Sequence, residues 1–364
     1  MRGVRVSIIL ILLILMGIGT VVIYSSSSIY AWQTKGDSFY YLNRHLISLI
    51  IGFMCMLLAM AVDCEVLKKI AKPLFFISVF FLILSLVPGI GKQVSGAKRW
   101  IRIGPFGFQP SEFIKITFII YLAEYISRRK NIINNFIKGL LPVLISLGAP
   151  CLLILLQPDL GTTIALVMIT FILLFSAGLS YRYFFIAGIS SIPVLYLLIF
   201  RVAYRRARIL AFLNPWADPQ GNGFQIIQSQ IALGSGGLFG QGLGQGKQKL
   251  FYLPAAHTDF IFSVIGEEMG MIGAAVVIIL FILLIWQMIK VVRFNEDDFL
   301  RYMSMGVVSL IALQVVVNIG VSLGMFPTKG LPLPFISYGG SSLIFNMTAI
   351  GLLLNASRER GIYL

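Results

Sequence analysis

The sequence predicts an all-α, polytopic integral membrane protein. It has ten transmembrane helices, cytoplasmic N- and C-termini, and one long extracytoplasmic loop between helices 7 and 8. Three observations carry this. Charged side chains are 12% of the 364 residues, against about 25% in soluble domains. Mean hydropathy is +0.92. Uncharged tracts near the ~20 residues that a bilayer-crossing helix needs recur along the chain. A soluble globular protein, a disordered chain and a secreted disulfide scaffold are excluded. The length suits a single membrane domain, 1–364, with no large extra unit. Cys55, Cys64 and Cys151 form no CxxC pair and no metal-ligand spacing.

The tracts are 7–34, 46–62, 73–91, 139–158, 160–181, 183–200, 269–289, 302–328 and 330–357. A tenth span, 111–127, is interrupted by Lys115 and Glu124. The first tract is too long for the apolar core of a signal peptide and lacks an A-x-A site, so it reads as an uncleaved helix. The 269–289 span is expected to begin near Thr258 and so to contain Asp259, Glu267 and Glu268.

Loop charge sets the orientation. With the N-terminus inside, the cytoplasmic segments hold 15 basic residues and the opposite side 13. Ten of those 13 lie in two loops, 88–110 and 201–257, and short loops govern the positive-inside rule. The two basic outer loops therefore need another explanation. An anionic ligand at the outer leaflet is one. A solvated loop drawn to anionic headgroups is the other. The second loop also holds seven glycines in 234–246, which reads either as a flexible surface segment or as a mobile one that meets substrate backbone-first.

Ionisable residues near the membrane interior are costly, and they are functional candidates by default. Glu112 and Lys115 share a helix face and form either a substrate contact or a neutralising pair. Asp159, in the turn between spans five and six, is a substrate contact or a helix cap. Asp259, where the long loop re-enters the membrane, is a general base, a cation anchor or a helix N-terminal charge. His257 is a rival base. Glu267 and Glu268 lie roughly 12–14 Å further along the helix, on different faces, and one is expected to pair with a cation on another helix. No Gly-x-Ser-x-Gly elbow is present and His45 is the only other histidine, so covalent catalysis is disfavoured.

At these residues the chain resembles a known family. The runs GAKRWIRIGPFGFQPSE (96–112), QPDLGT (157–162), NPWADPQGNGFQIIQSQIALGSGGLFGQGLGQG (214–246), LPAAHTDFIFSVIGEEMG (253–270) and PTKGLPLPFISYGGSS (327–342) are similar to motifs of the SEDS proteins. That family comprises FtsW, RodA and SpoVE, and the chain looks closer to the FtsW/SpoVE branch. The resemblance implies a peptidoglycan glycosyltransferase of the bacterial cytoplasmic membrane with its active site on the extracytoplasmic face. Its implied substrate is lipid II, a disaccharide pentapeptide on undecaprenyl pyrophosphate. Its implied partners are a class B penicillin-binding protein and other division or elongation proteins.

By the same resemblance Asp259 is the essential aspartate, Trp100 the functional loop tryptophan and Lys329 the TKG lysine. Gln157 and Ser337 fall in the matching runs and join the substrate-binding candidates. Lys98, Arg99, Arg102, Arg205, Arg206, Arg208 and Lys329 are the cations available to a departing pyrophosphate. Asp259 would accept the proton of an acceptor sugar hydroxyl. Alternatively it would hold a divalent cation, Mg or Mn, that acidifies that hydroxyl. A lipid II flippase and a non-catalytic scaffold for the penicillin-binding protein are the competing functions.

Overall fold

The structure is a computed structural model that describes residues 1–94, 97–103, 106–249 and 253–358; side chains at 92–94, 97–98, 103 and 106 lie outside that description. Seven helical segments are long and apolar enough to cross a membrane. They are α1 (Arg2–Lys35), α2 (Tyr40–Ala61), α3 (Cys64–Leu86), the segment Phe136–Leu156 that ends in α5 (Leu141–Leu156), α7 (Tyr181–Phe200), α10 (Ile261–Phe294) and α11 (Asp298–Ser322). Two further apolar helices are shorter, α6 (Leu160–Ser176) and α12 (Gly340–Ala356). The protein is thus a predominantly helical, polytopic membrane protein.

The helix α4 (Pro110–Arg129) explains its own charge content. It packs among α3, α11, α6, α12 and α5, and buried residues occur around its whole circumference. Glu112 and Lys115 therefore meet protein and not lipid, and they pair at 2.8 Å. Polar contacts fasten neighbouring helices. Thr117 Oγ1 on α4 donates to Ser78 Oγ on α3 at 2.8 Å. Asn355 Nδ2 on α12 donates to the carbonyls of Ala59 and Val62 at 2.9 and 2.6 Å, satisfying the open end of α2. Gly351 lets those two helices close up, since a Cβ there would lie 2.4 Å from the Met56 carbonyl oxygen.

The all-α expectation is corrected at the 88–110 loop. It folds into an antiparallel sheet of β1 (Gly91–Val94), β2 (Ala97–Ile103) and β3 (Phe106–Phe108), with Ile101 facing Phe108 and Arg102 facing Gly107. Ile101 is buried and its neighbour Arg102 exposed, the alternation of a half-buried strand. The 201–257 loop is also structured. It contains α8 (Ala203–Leu213) and α9 (Phe224–Ser235).

The glycine-rich segment is not a free surface loop either. It docks on a break in α10, where Gly270 adopts φ 68° and ψ −168°. That conformation is open to glycine and strained for other residues. The break leaves backbone groups without helical partners, and the loop supplies them. The N–H groups of Gln241 and Gly242 donate to the carbonyls of Glu267 and Glu268, at 3.0 Å each. The N–H groups of Met271 and Ile272 donate to the carbonyls of Gly237 and Leu238, at 2.9 and 3.2 Å. Non-helical backbone inside a membrane protein is tolerated only where protein or a wet cavity satisfies it.

Candidate active site

Five segments converge at the sheet end of the bundle: β2, the α5–α6 turn, α8, the approach to α10 and the segment after α11. Arg99 on β2 anchors the first two. Its Nε and Nη2 donate to the carbonyls of Gln157 and Pro158 at 2.9 and 2.6 Å, and its Nη1 lies 3.8 Å from Asp159 Oδ2. Asp159 caps α6, accepting from the N–H and hydroxyl of Thr162 at 3.1 and 3.0 Å. Trp100 lays its ring over Gly107, where a Cβ would fall 3.0 Å from it. Arg102 is exposed on the same strand, and the side chain of Lys98 lies outside the described residues.

Asp259 stands one residue before the N-cap of α10. Its backbone is tightly held. The N–H groups of Thr258, Asp259 and Phe260 all donate to the Ala255 carbonyl. The three carbonyls of 257–259 are each taken by the segment that follows or ends α11. Tyr338 N–H donates to His257 at 3.0 Å, Ser337 Oγ to Thr258 at 2.6 Å, and Asn318 Nδ2 to Asp259 at 2.9 Å. The carboxylate itself is left free: among the described residues nothing hydrogen-bonds to it. It packs against Gly330, whose Cβ, if present, would lie 3.0 Å from Asp259 Oδ2. Burial pushes its carboxyl up to about 6, against the opposing pull of the Arg208 and Arg99 guanidinia.

Lys329 approaches from the other side. Its side chain occupies the space above Gly161, where a Cβ would fall 1.1 Å from Lys329 Cε. Burial brings its ammonium down to about 8; Asp159 opposes that shift, while Lys115 and Arg99 add to it. Arg99 is thus the common neighbour of Asp259, Asp159 and Lys329. Arg208, exposed on α8, reaches the Thr328 carbonyl at 3.4 Å and brings a second guanidinium to the same mouth.

Other candidates are committed elsewhere. His257 sits among the rings of Tyr41, Tyr338 and Tyr30, at 4.8, 5.7 and 5.8 Å between centroids, and burial lowers its imidazole to about 4. Ser337 accepts from Leu333 N–H besides donating to Thr258, so its proton is already used. Gln157 donates to Leu82 and Ser85 between helices. Arg205 donates to the Leu198 carbonyl near the end of α7 and to Tyr204. Arg206 is exposed on α8.

The two glutamates hold the glycine-rich segment. Glu267 Oε1 accepts from the N–H groups of Lys247 and Gln248 at 2.7 and 3.1 Å. Glu268 pairs with Lys249 and accepts from Ser25 of α1 at 2.7 Å. The expected cation therefore comes from the loop and not from another helix. Lys249 and Asn318 escaped the sequence reading, the first as one more loop lysine, the second as an uncharged residue in an apolar run. No three His, Cys, Asp or Glu side chains gather as metal ligands among the described residues.

The chain is similar to proteins of one kind throughout. A family model described as cell cycle protein, covering FtsW, RodA and SpoVE, matches residues 5–362. A probable peptidoglycan glycosyltransferase FtsW of Geobacter sp. (strain M18) is 46% identical over 99% of this chain and 98% of its own. Stage V sporulation protein E of Bacillus subtilis (strain 168) is 42% identical, over 96% of each chain. Among solved structures, a chain described under polymerization and crosslinking by a peptidoglycan synthase complex superposes with TM-score 0.79, at 30% identity and 96% of each chain. RodA of Thermus thermophilus gives TM-score 0.73 at 28% identity, over 97% of this chain and 96% of that one.

Proposed function

This chain belongs to the FtsW, RodA and SpoVE family of cell cycle proteins, and from that premise we propose how its mouth performs catalysis. The protein is a peptidoglycan glycosyltransferase. Its substrate is lipid II, and Asp259 is the general base. The observation that carries this is a carboxylate to which no described residue hydrogen-bonds, raised to about 6 and faced by guanidinia. Near neutral pH such a group is ionised yet more basic than an ordinary aspartate, which suits proton abstraction.

In the reaction the acceptor sugar hydroxyl gives its proton to Asp259 as its oxygen bonds to the donor's anomeric carbon. The bond from that carbon to the pyrophosphate breaks with inversion, and undecaprenyl pyrophosphate leaves. Arg99, Arg208 and Lys329 face the charge that develops on it, in a setting where fixed cations are worth more than in water. Arg102 and Trp100 on the sheet extend the same surface toward the sugar and phosphate. Direct base catalysis fits better than a metal-acidified hydroxyl, because the groups facing Asp259 are cations and no set of three His, Cys, Asp or Glu side chains gathers among the described residues.

The seven long helices, with α4, α6 and α12, make the ten spans of a protein in the bacterial cytoplasmic membrane. The sheet and the mouth lie on its extracytoplasmic side. A class B penicillin-binding protein is the partner that cross-links the product. Purified protein with labelled lipid II, with and without that partner and with transpeptidation blocked by a β-lactam, tests the assignment. A ladder of glycan chains that vanishes in Asp259→Ala supports it. Glycan synthesis that survives in Asp259→Ala overturns the role of the aspartate.

A further inference from the structure

Asn318 is an uncharged residue of α11, 1% exposed, and its amide spans two site segments. Nδ2 donates to the Asp259 carbonyl at 2.9 Å and to the Leu331 carbonyl at 2.7 Å. Those carbonyls flank the two groups that the mechanism needs. One belongs to the aspartate itself. The other lies two residues past Lys329, beyond Gly330, against which the carboxylate packs. The Asn318 main chain is braced from below: its backbone carbonyl accepts from Ser322 Oγ at 3.0 Å, Ser229 Oγ donates to the Ser322 carbonyl at 2.7 Å, and Ser229 Oγ meets Ser263 Oγ at 2.6 Å. These three serines are fully buried. An amide with both donors directed at separate chain segments, on a rigid helix, fixes the distance between them.

We propose that Asn318 is a positioning residue that sets the separation of the Asp259 carboxylate from the Lys329 cation. This rests on the assignment of Asp259 as base. It predicts a loss in the chemical step and not in substrate binding, because neither carbonyl is offered to substrate. A displacement near 1 Å at a reacting group is enough to cost about 100-fold in rate.

The matched control is Asn355, whose amide makes the same pair of carbonyl bonds far from the mouth. Asn318→Leu and Asn355→Leu would be compared with wild type by steady-state polymerisation of labelled lipid II, with rates normalised to protein that retains its fold in a thermal melt. The expected result is a kcat about 100-fold lower for Asn318→Leu at unchanged KM, with kcat intact in Asn355→Leu. Wild-type kcat in Asn318→Leu, an equal kcat loss in both variants, or a raised KM with kcat intact overturns the proposal. Should Asn318→Leu fail to fold, Asn318→Ser, small enough to admit a water in the amide's place, carries the same criteria. Asp259→Ala runs alongside: if it polymerises normally the base assignment fails, whereas a dead Asp259→Ala beside a fully active Asn318→Leu sinks the positioning role alone.

Discussion

Asp259 and Glu268 are nine residues apart in sequence, and they are treated in opposite ways. Glu268 is 2% exposed, paired with Lys249 and bonded to Ser25. Glu267 beside it takes two backbone N–H groups on Oε1, while its Oε2 has no partner among the described residues, so Glu268 is the fully committed acid of the pair. Asp259 has its backbone fastened at both ends and its carboxylate left without a hydrogen bond among the described residues. A buried acid whose oxygens are committed holds structure. An acid whose main chain is committed and whose oxygens are free is prepared for a ligand.

Substitutions can break this contrast. Asp259→Asn should lower polymerisation by about 10³-fold, within the 10²–10⁴ that a general base contributes. The same change should leave the melting temperature no lower, since it removes a desolvated charge. A large drop in thermal stability would place Asp259 with the structural acids. Lys249→Met should do the reverse. Removing one member of a buried pair costs about 3–5 kcal/mol, because the other charge stays behind unpaired. Melting should fall steeply, and Lys249→Met combined with Glu268→Gln should recover part of the loss. Full stability in Lys249→Met would show that the pair does not hold the glycine-rich segment.

Smaller changes sharpen the contrast. Gly161→Ala puts a methyl group where Lys329 now runs, so the ammonium must move. Activity should fall about 10-fold or more with little change in melting; wild-type kinetics would remove Lys329 from the mechanism. The last effect is graded by pH. Asp259 must be ionised, so kcat/KM should rise through a pKa of about 6, and Lys329 must be charged, so it should fall again through about 8. Beyond each limit the loss should approach 10-fold per pH unit. A profile flat from 5 to 9 would disconnect both groups from the rate.

Much of the helical layout was legible because burial in lipid leaves uncharged tracts, and Asp259 stood out as a lone acid at the end of one. The limits of that reading are equally physical. Charge scanning passes over Asn318, whose importance lies in carbonyls at positions 259 and 331. Lys249 meets Ser25 across 224 residues, which no local pattern encodes. The sheet was missed because three short strands within 91–108 carry too little periodic signal beside turn glycines. The end of α11 was placed too late, since residues 323–328 are apolar without being helical. The last tract begins instead as a non-helical segment with a turn at 334–336, and α12 starts only at Gly340.

The break at Gly270 has a consequence for how the chain is made. The helix α10 emerges from the ribosome with carbonyls and N–H groups exposed in its first third, and the glycine-rich segment synthesised just before it carries their complements. Neither piece is comfortable in hydrocarbon alone, so residues 224–294 should enter the bilayer as one cooperative unit. Reporter fusions that truncate the chain between Lys249 and Gly270 would then describe an unassembled fragment, and topology maps should be read from fusions placed after Phe294.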